Sequence, residues 1–206
     1  MINNYQLIIE YDGTNYVGWQ SQKNGKAIQD RVQNSIKKLL KEKVKLIGSG
    51  RTDAGVHAIK QYANFFTKKK IKDKYKFLES INFFLKDSLI SVLDIIKKNK
   101  SFHSRFSAKK RIYKYIIINR RANLSINKNK SWLVKKKLNI DWIKRGSKIL
   151  VGTHDFTTFR SSNCGANSPI KKIDNIKIEK YNEQITLTFI SKSFLKQQVR
   201  SMVGCL

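Results

Sequence analysis

The first hundred residues alternate between the two periodicities a chain can bury, and the order of that alternation constrains the fold more than any other feature. The run "YQLIIEY" (5–11) alternates as a strand does, and residues 27–42 then set Ile28, Val32, Ile36, Leu39 and Leu40 on one helical face. "VKLIGSG" and "IKQYANFFT" read as strands, residues 73–85 as a helix carrying Phe77, Ile81, Phe84 and Leu85, and "SLISVLDII" as a further strand. This is the β-α-β-β-α-β order of a ferredoxin-like unit, an α+β arrangement.

The rest of the chain nearly repeats that order. "RIYKYIIIN" predicts a strand, and 139–150 a helix with Gly152 at its C′ position. "PIKKIDNIKIEK" and "EQITLTFIS" predict a hairpin. Residues 194–206 place Leu195, Val199, Met202, Val203 and Leu206 at helical spacing. Two halves are expected, 1–108 and 109–206, the second ending one strand short of the first. No Pro-rich or Gly/Ser-rich linker divides them, and the single proline, Pro169, lies in the loop-like "SSNCGANSPIKKI".

With 40% hydrophobic and 11% aromatic residues in 206, the composition excludes a disordered chain. No apolar run reaches the roughly 18 residues of a membrane span, and "MINNYQLIIE" is too short and too acidic for a signal peptide. Cys164 and Cys205 have no metal-site spacing and no need to pair, so a reduced, cytoplasmic protein is expected, without membrane or metal. The net charge of +29 calls for a polyanionic partner, nucleic acid before membrane, because no segment is a strong basic amphipathic helix. The excess is mostly Lys beside abundant Ile and Asn, which an AT-rich genome also produces. Charge alone leaves the partner unnamed.

"GSGRTDAGVHA" (48–58) is the segment that carries chemistry. Its glycines let the backbone turn sharply and let a large ligand approach an Arg-Thr-Asp triplet. No Gly-Lys-Ser/Thr follows, so it is no P-loop, and Asp53 with His57 offers too few ligands for a metal. Two readings stay open from the residues alone: a tight turn in which Asp53 caps a helix and Arg51 is a surface charge, or a reactive loop.

"GRTDAGVHA" resembles the catalytic loop of the TruA family of tRNA pseudouridine synthases. Four further segments resemble the family in the same order: "EYDGTNYVGWQSQ" running into "IQDRVQNSIKKLL", "FHSRFSAKKRIYKYII", "GTHDFTTFRSSN" and "FLKQQVRSMVG". Five ordered segments along the whole chain make chance similarity untenable.

The resemblance implies a pseudouridine synthase fold: two ferredoxin-like halves joined in one long, mostly antiparallel sheet, the second half shortened, with the active cleft between them. It implies that Asp53 is the nucleophile, a role that suits a carboxylate able to add covalently and leave again. Arg51 matches the arginine that pairs with this carboxylate and holds the target nucleotide out of the stack. Tyr113 matches the tyrosine that packs on the target base, although its alternation with Tyr115 and Ile117 also suits a core strand. Arg200 matches a helical arginine near the catalytic aspartate. Phe102, His103, Ser104, Arg105 and Phe106, with the loop Asn163, Cys164, Gly165, Ala166 and Asn167, match tRNA-contacting segments.

The implied substrate is the tRNA anticodon stem-loop at positions 38 to 40, the implied assembly a homodimer, and no metal or organic cofactor is implied. His57, His103 and His154 are expected to make packing or polar contacts, and Gln20 and Gln29 take no assigned role. Lys86 and Asp87 stand where the family has a Leu-Pro turn, and the family pattern continues beyond the segment ending at Leu206. The competing reading is a non-catalytic tRNA binder descended from such an enzyme.

Overall fold

Strand β1 (Asn3–Tyr11) organises the first unit because its odd residues, Tyr5, Leu7, Ile9 and Tyr11, are all buried on one face. The computed structural model describes residues 1–23 and 25–206, and the chain divides into two units, Met1–Ala108 and Lys109–Leu206. Helix α1 (Ile28–Leu40) turns Ile28, Val32 and Ile36 into the same core as β1, and α2 (Lys74–Leu85) adds Phe77, Ile81 and Leu85. Burying each such side chain is worth about 1.5–3 kcal/mol. Asp73 caps α2 by accepting from Lys76 N at 3.0 Å.

With β2 (Ile47–Gly48), β3 (Ala58–Thr67) and β4 (Ile90–Lys98), β1 forms a sheet of order β2-β3-β1-β4, antiparallel throughout. The strand expected over 44–50 shrinks to two residues, for a local reason. The amide of Leu46 donates to Gln33 Oε1 (2.8 Å) and its carbonyl accepts from Gln29 Nε2 (2.8 Å), so α1 side chains take the bonds a neighbouring strand would need. Gln29 thereby gains a structural role. The turn that lacks Leu-Pro is a short 3-10 helix at Lys86–Ser88, closed by Leu89 at φ 53°.

The second unit contains β5 (Arg111–Asn119), β6 (Trp132–Val134), α3 (Ile140–Ile149), β7 (Gly152–Asp155), β8 (Ile170–Tyr181), β9 (Gln184–Ser191) and α4 (Gln198–Cys205). Its sheet runs β6-β5-β9-β8-β7 and is antiparallel except for β5 with β6, parallel over Ile117, Ile118 and Asn119. Ile117, Ile143, Ile173, Leu187, Phe189, Val199 and Met202 lie in its core. The architecture is α+β, as expected from the sequence.

Three local expectations are corrected. β6 and β7 were not anticipated; β6 is three residues long, and β7 ("GTHD") has no apolar alternation. α3 ends at Ile149 with Leu150 as its C-cap, and Gly152 (φ 112°) opens β7 instead of standing at C′. α4 starts at Gln198, not 194, after Gln197 in the left-handed region (φ 62°). The backbone before it is engaged elsewhere: Lys196 O accepts from Ser161 N (3.1 Å), and Leu195 N donates to Gln198 Oε1 (2.8 Å). No described helix is long and apolar enough to cross a membrane.

Candidate active site

Arg51 and Asp53 stand on the connection between β2 and β3, which contains no helix, so Asp53 caps none. At its base, Ser49 N donates to Tyr62 O (2.7 Å) and the buried Gln61 donates through Nε2 to Gly50 O (2.6 Å). Higher up, Trp19 N donates to Thr52 O (3.1 Å), Gly55 N to Tyr16 O (3.3 Å), and Val56 N closes a turn on Asp53 O (3.2 Å). The Tyr11 hydroxyl lies 2.8 Å from Thr52 Oγ1.

Two glycines permit this approach. A Cβ on Gly13 would overlap the Val56 carbonyl oxygen, and one on Gly18, at φ 111°, would overlap that of Thr52. "YDGTNYVGW" and "GRTDAGVHA" are therefore one structure, the first a saddle on which the second sits.

The Asp53 carboxylate is half-buried and has no hydrogen-bond or ion-pair partner among the described residues. Arg51 is exposed on the same loop. His57 Nδ1 sits 3.1 Å from Asp12 Oδ1 and 3.2 Å from Gly13 N, a polar contact behind the loop. Among the described residues no group of three or more His, Cys, Asp or Glu could hold a metal ion.

In the same unit, residues 102–106 are latched to the sheet by two fully buried asparagines. Asn64 Oδ1 accepts from Ser104 N (2.9 Å) and its Nδ2 donates to Asn4 Oδ1 (2.9 Å). Asn4 Nδ2 donates in turn to Asn99 O (2.9 Å) and Phe102 O (2.8 Å). This leaves Arg105 exposed over the ring of Phe106 at 5.6 Å, with His103 stacked on the same ring at 4.4 Å. The two asparagines brace the loop through four hydrogen bonds, while the buried His103 Nδ1 and Ser104 Oγ within it take no partner among the described residues.

In the second unit, Tyr113 is half-buried on β5 and packs edge-on against Phe194, ring centres 5.1 Å apart. The segment from Phe194 to α4 also joins the loop that carries 163–167, since Lys196 N donates to Cys164 Sγ at 3.5 Å. Burial pushes the Cys164 thiol up, but amides of Lys196 and Ala166 and the charges of Arg160 and Lys171 together hold it below its ordinary range. Arg200, exposed on α4, follows that segment directly. Tyr113, the 163–167 loop and the approach to Arg200 thus meet at residues 194–198. Asn163, Gly165 and Asn167 are exposed there, and Ala166 is half-buried.

A half-buried carboxylate on a well-bonded loop, on an α+β scaffold of charge +29, suits a protein that handles a polyanion. Comparison with known proteins says which kind. The family model described as tRNA pseudouridine synthase matches residues 7–107 and 147–206. The "tRNA pseudouridine synthase A" of Pelagibacter ubique is 56% identical over 202 residues, 98% of this chain and 82% of that protein. Those of Neorickettsia sennetsu and Parvibaculum lavamentivorans are each 42% identical over 98% of this chain, covering 83% and 82% of their own lengths. The chain belongs to the tRNA pseudouridine synthase family: it is an isomerase that acts on tRNA.

Sequence reasoning missed Tyr11, Gln61, Asn4 and Asn64 as supports of these loops. Tyr11 was visible only as one more apolar member of β1, and its hydroxyl acts on a residue 41 positions away. Tyr11→Phe keeps the buried ring and its tilted packing on Trp19, 6.1 Å between centres. It is expected to slow single-turnover isomerisation roughly two- to tenfold, the kinetic equivalent of one hydrogen bond worth about 0.5–1.5 kcal/mol, with tRNA affinity unchanged. An unchanged rate beside a lowered melting temperature would make Tyr11 a fold residue only.

Proposed function

We propose that this protein isomerises uridine to pseudouridine at positions 38 to 40 of the tRNA anticodon stem-loop, with Asp53 as its nucleophile. The observation that carries the reading is the Asp53 carboxylate, without a partner among the described residues yet held on a loop bonded to Tyr11, Tyr16, Trp19 and Gln61. Over the reaction the N1–C1′ bond breaks, a C5–C1′ bond forms, C5 loses a proton and N1 gains one, so no oxidant or cofactor is required. Asp53 adds to the nucleotide and leaves again while the base turns.

Arg51 holds the extruded nucleotide, Tyr113 stacks on its base, and Arg200 contributes a positive charge to the site. Residues 102–106 and 163–167 contact the RNA through phosphate and sugar. The same proposal treats residues 1–108 and 109–206 as ferredoxin-like halves, the first carrying the catalytic loop. The element order and the sheet order β2-β3-β1-β4 of the first unit support this. Action as a cytoplasmic homodimer belongs to the same reading.

The test is incubation of purified protein with an unmodified tRNA transcript, followed by mapping of pseudouridine. Product at positions 38 to 40 is the expected result. Product confined to another arm would overturn the positional assignment, and tight binding without product would favour the non-catalytic RNA binder.

A further inference from the structure

Residues 120–137, which follow β5, contain seven Lys and Arg and no Asp or Glu, whereas the whole chain has 43 of the former to 14 of the latter. A charge run of this kind is usually a solvated, mobile face. Here two side chains order it. Asn119 Nδ2 donates to Val134 O and Lys136 O, both at 2.8 Å, while its Oδ1 accepts from Leu138 N at 3.1 Å. Arg120 donates to Glu183 Oε2 (3.0 Å), Ala122 O (3.2 Å) and Asn123 O (2.9 Å). β6 is further held by parallel pairing with β5 and by Trp132 against Tyr115, 6.4 Å between ring centres.

The result is an open notch of about 500 Å³ lined by Asn119, Arg120, Arg121, Lys135, Lys136 and Lys137. Among the described residues no carboxylate lines it, and the one beside it, Glu183, is taken by Arg120. Arg121 and Lys135, Lys136 and Lys137 are exposed and make no ion pair among the described residues. The cations share a braced backbone, so only their side chains remain to be ordered when they act together. The notch also lies in the stretch between the two segments that the family model matches.

We propose that this notch is a further RNA-contact surface that grips backbone phosphates of the tRNA away from the isomerised nucleotide. Asn119 is six residues beyond Tyr113 on β5, roughly 20 Å at about 3.3 Å per residue. Lysines act as point charges on phosphate and read no base, so the notch contributes affinity and register. A bilayer fits less well, because no apolar side chain among the described residues lines the notch. The proposal rests on tRNA being the substrate.

The test uses the full chain with Arg121, Lys135, Lys136 and Lys137 all changed to Gln. Its control changes Lys68, Lys69 and Lys70 to Gln on the first unit. Affinity for unmodified tRNA is measured as a function of salt, with pseudouridine formation followed in parallel. The notch variant is expected to bind about tenfold or more weakly near 0.15 M salt, and its log–log salt slope should fall by about 2–3, as for three or four lost phosphate contacts. The control should keep most of both. A second variant, Asn119→Ala, keeps every charge but frees the segment, and should lose part of the same affinity.

A salt slope equal to the parent's, or an equal loss in the control, overturns the proposal. So does loss of binding to anionic phospholipid vesicles with tRNA binding intact, which would make the surface a membrane contact. If the parent makes pseudouridine while the notch variant binds as the parent does, the notch fails and the function stands. If the parent neither binds nor modifies tRNA, both fail.

Discussion

Asp53→Asn protein is expected to bind tRNA as the parent does and to form no detectable pseudouridine. The substitution preserves size and shape, and the side chain has no partner to lose among the described residues. Stability should therefore stay within about 0.5 kcal/mol, as for changes that break no buried contact. Catalysis is different, because a neutral amide cannot add to the nucleotide and depart as a carboxylate does. A fall on the order of 10⁴-fold or more is expected, within the range seen when a covalent nucleophile is deleted. The measurement is single-turnover pseudouridine formation by mass spectrometry, on protein checked for deamidation at the substituted position. Turnover above that level by intact Asp53→Asn protein would remove the carboxylate from the mechanism.

Gly18→Ala should come close to the same loss by a mechanical route. A Cβ there meets the Thr52 carbonyl oxygen, the atom that accepts from Trp19 N at 3.1 Å. The φ of 111° is also one that L-residues rarely adopt. Thr52 is bonded to Asp53, so relief of the overlap must move the proposed nucleophile, and a displacement near 1 Å can cost about 10²-fold in rate. Gly18 O also accepts from Ile28 N at 3.2 Å, where α1 begins, so a stability loss of about 1–3 kcal/mol should accompany the rate loss. Gly55→Ala is the control: its φ is 75°, but a Cβ there meets nothing within 4 Å. It should cost about 1–2 kcal/mol of backbone strain with far less effect on rate. Melting curves and single-turnover rates of both variants decide the matter. A Gly18→Ala enzyme within threefold of the parent would show that this contact does not place the loop.

What could be read in advance was what is written locally. β1, α1, α2, β5 and the β8–β9 hairpin announce themselves because burial on one face imposes a period of 2 or about 3.6 on successive residues. The candidate catalytic segment was legible for a different reason, its resemblance to the catalytic loop of the tRNA pseudouridine synthases, since its residues alone left a plain turn open. β6 and β7 carried no such signal. Both are short, and their strand character comes from the neighbours they pair with, β5 and β8.

The same division holds for the candidate site residues. Asp53, Arg51, Tyr113 and Arg200 became candidates through the motifs that resemble the family. No motif tells that Tyr11 braces Thr52, that Gln61 holds Gly50 or that Asn4 and Asn64 latch the 102–106 loop. Each of those contacts closes 11 to 98 residues of intervening chain. A periodic pattern states which face of an element is buried, but not which polar atom it will meet there. Residue order alone was enough for the α+β class, the family and the candidate Arg-Thr-Asp triplet. The seat that Gly13 and Gly18 make for that triplet came from the packed fold, because the overlap that forbids a side chain exists only once the two segments lie against each other.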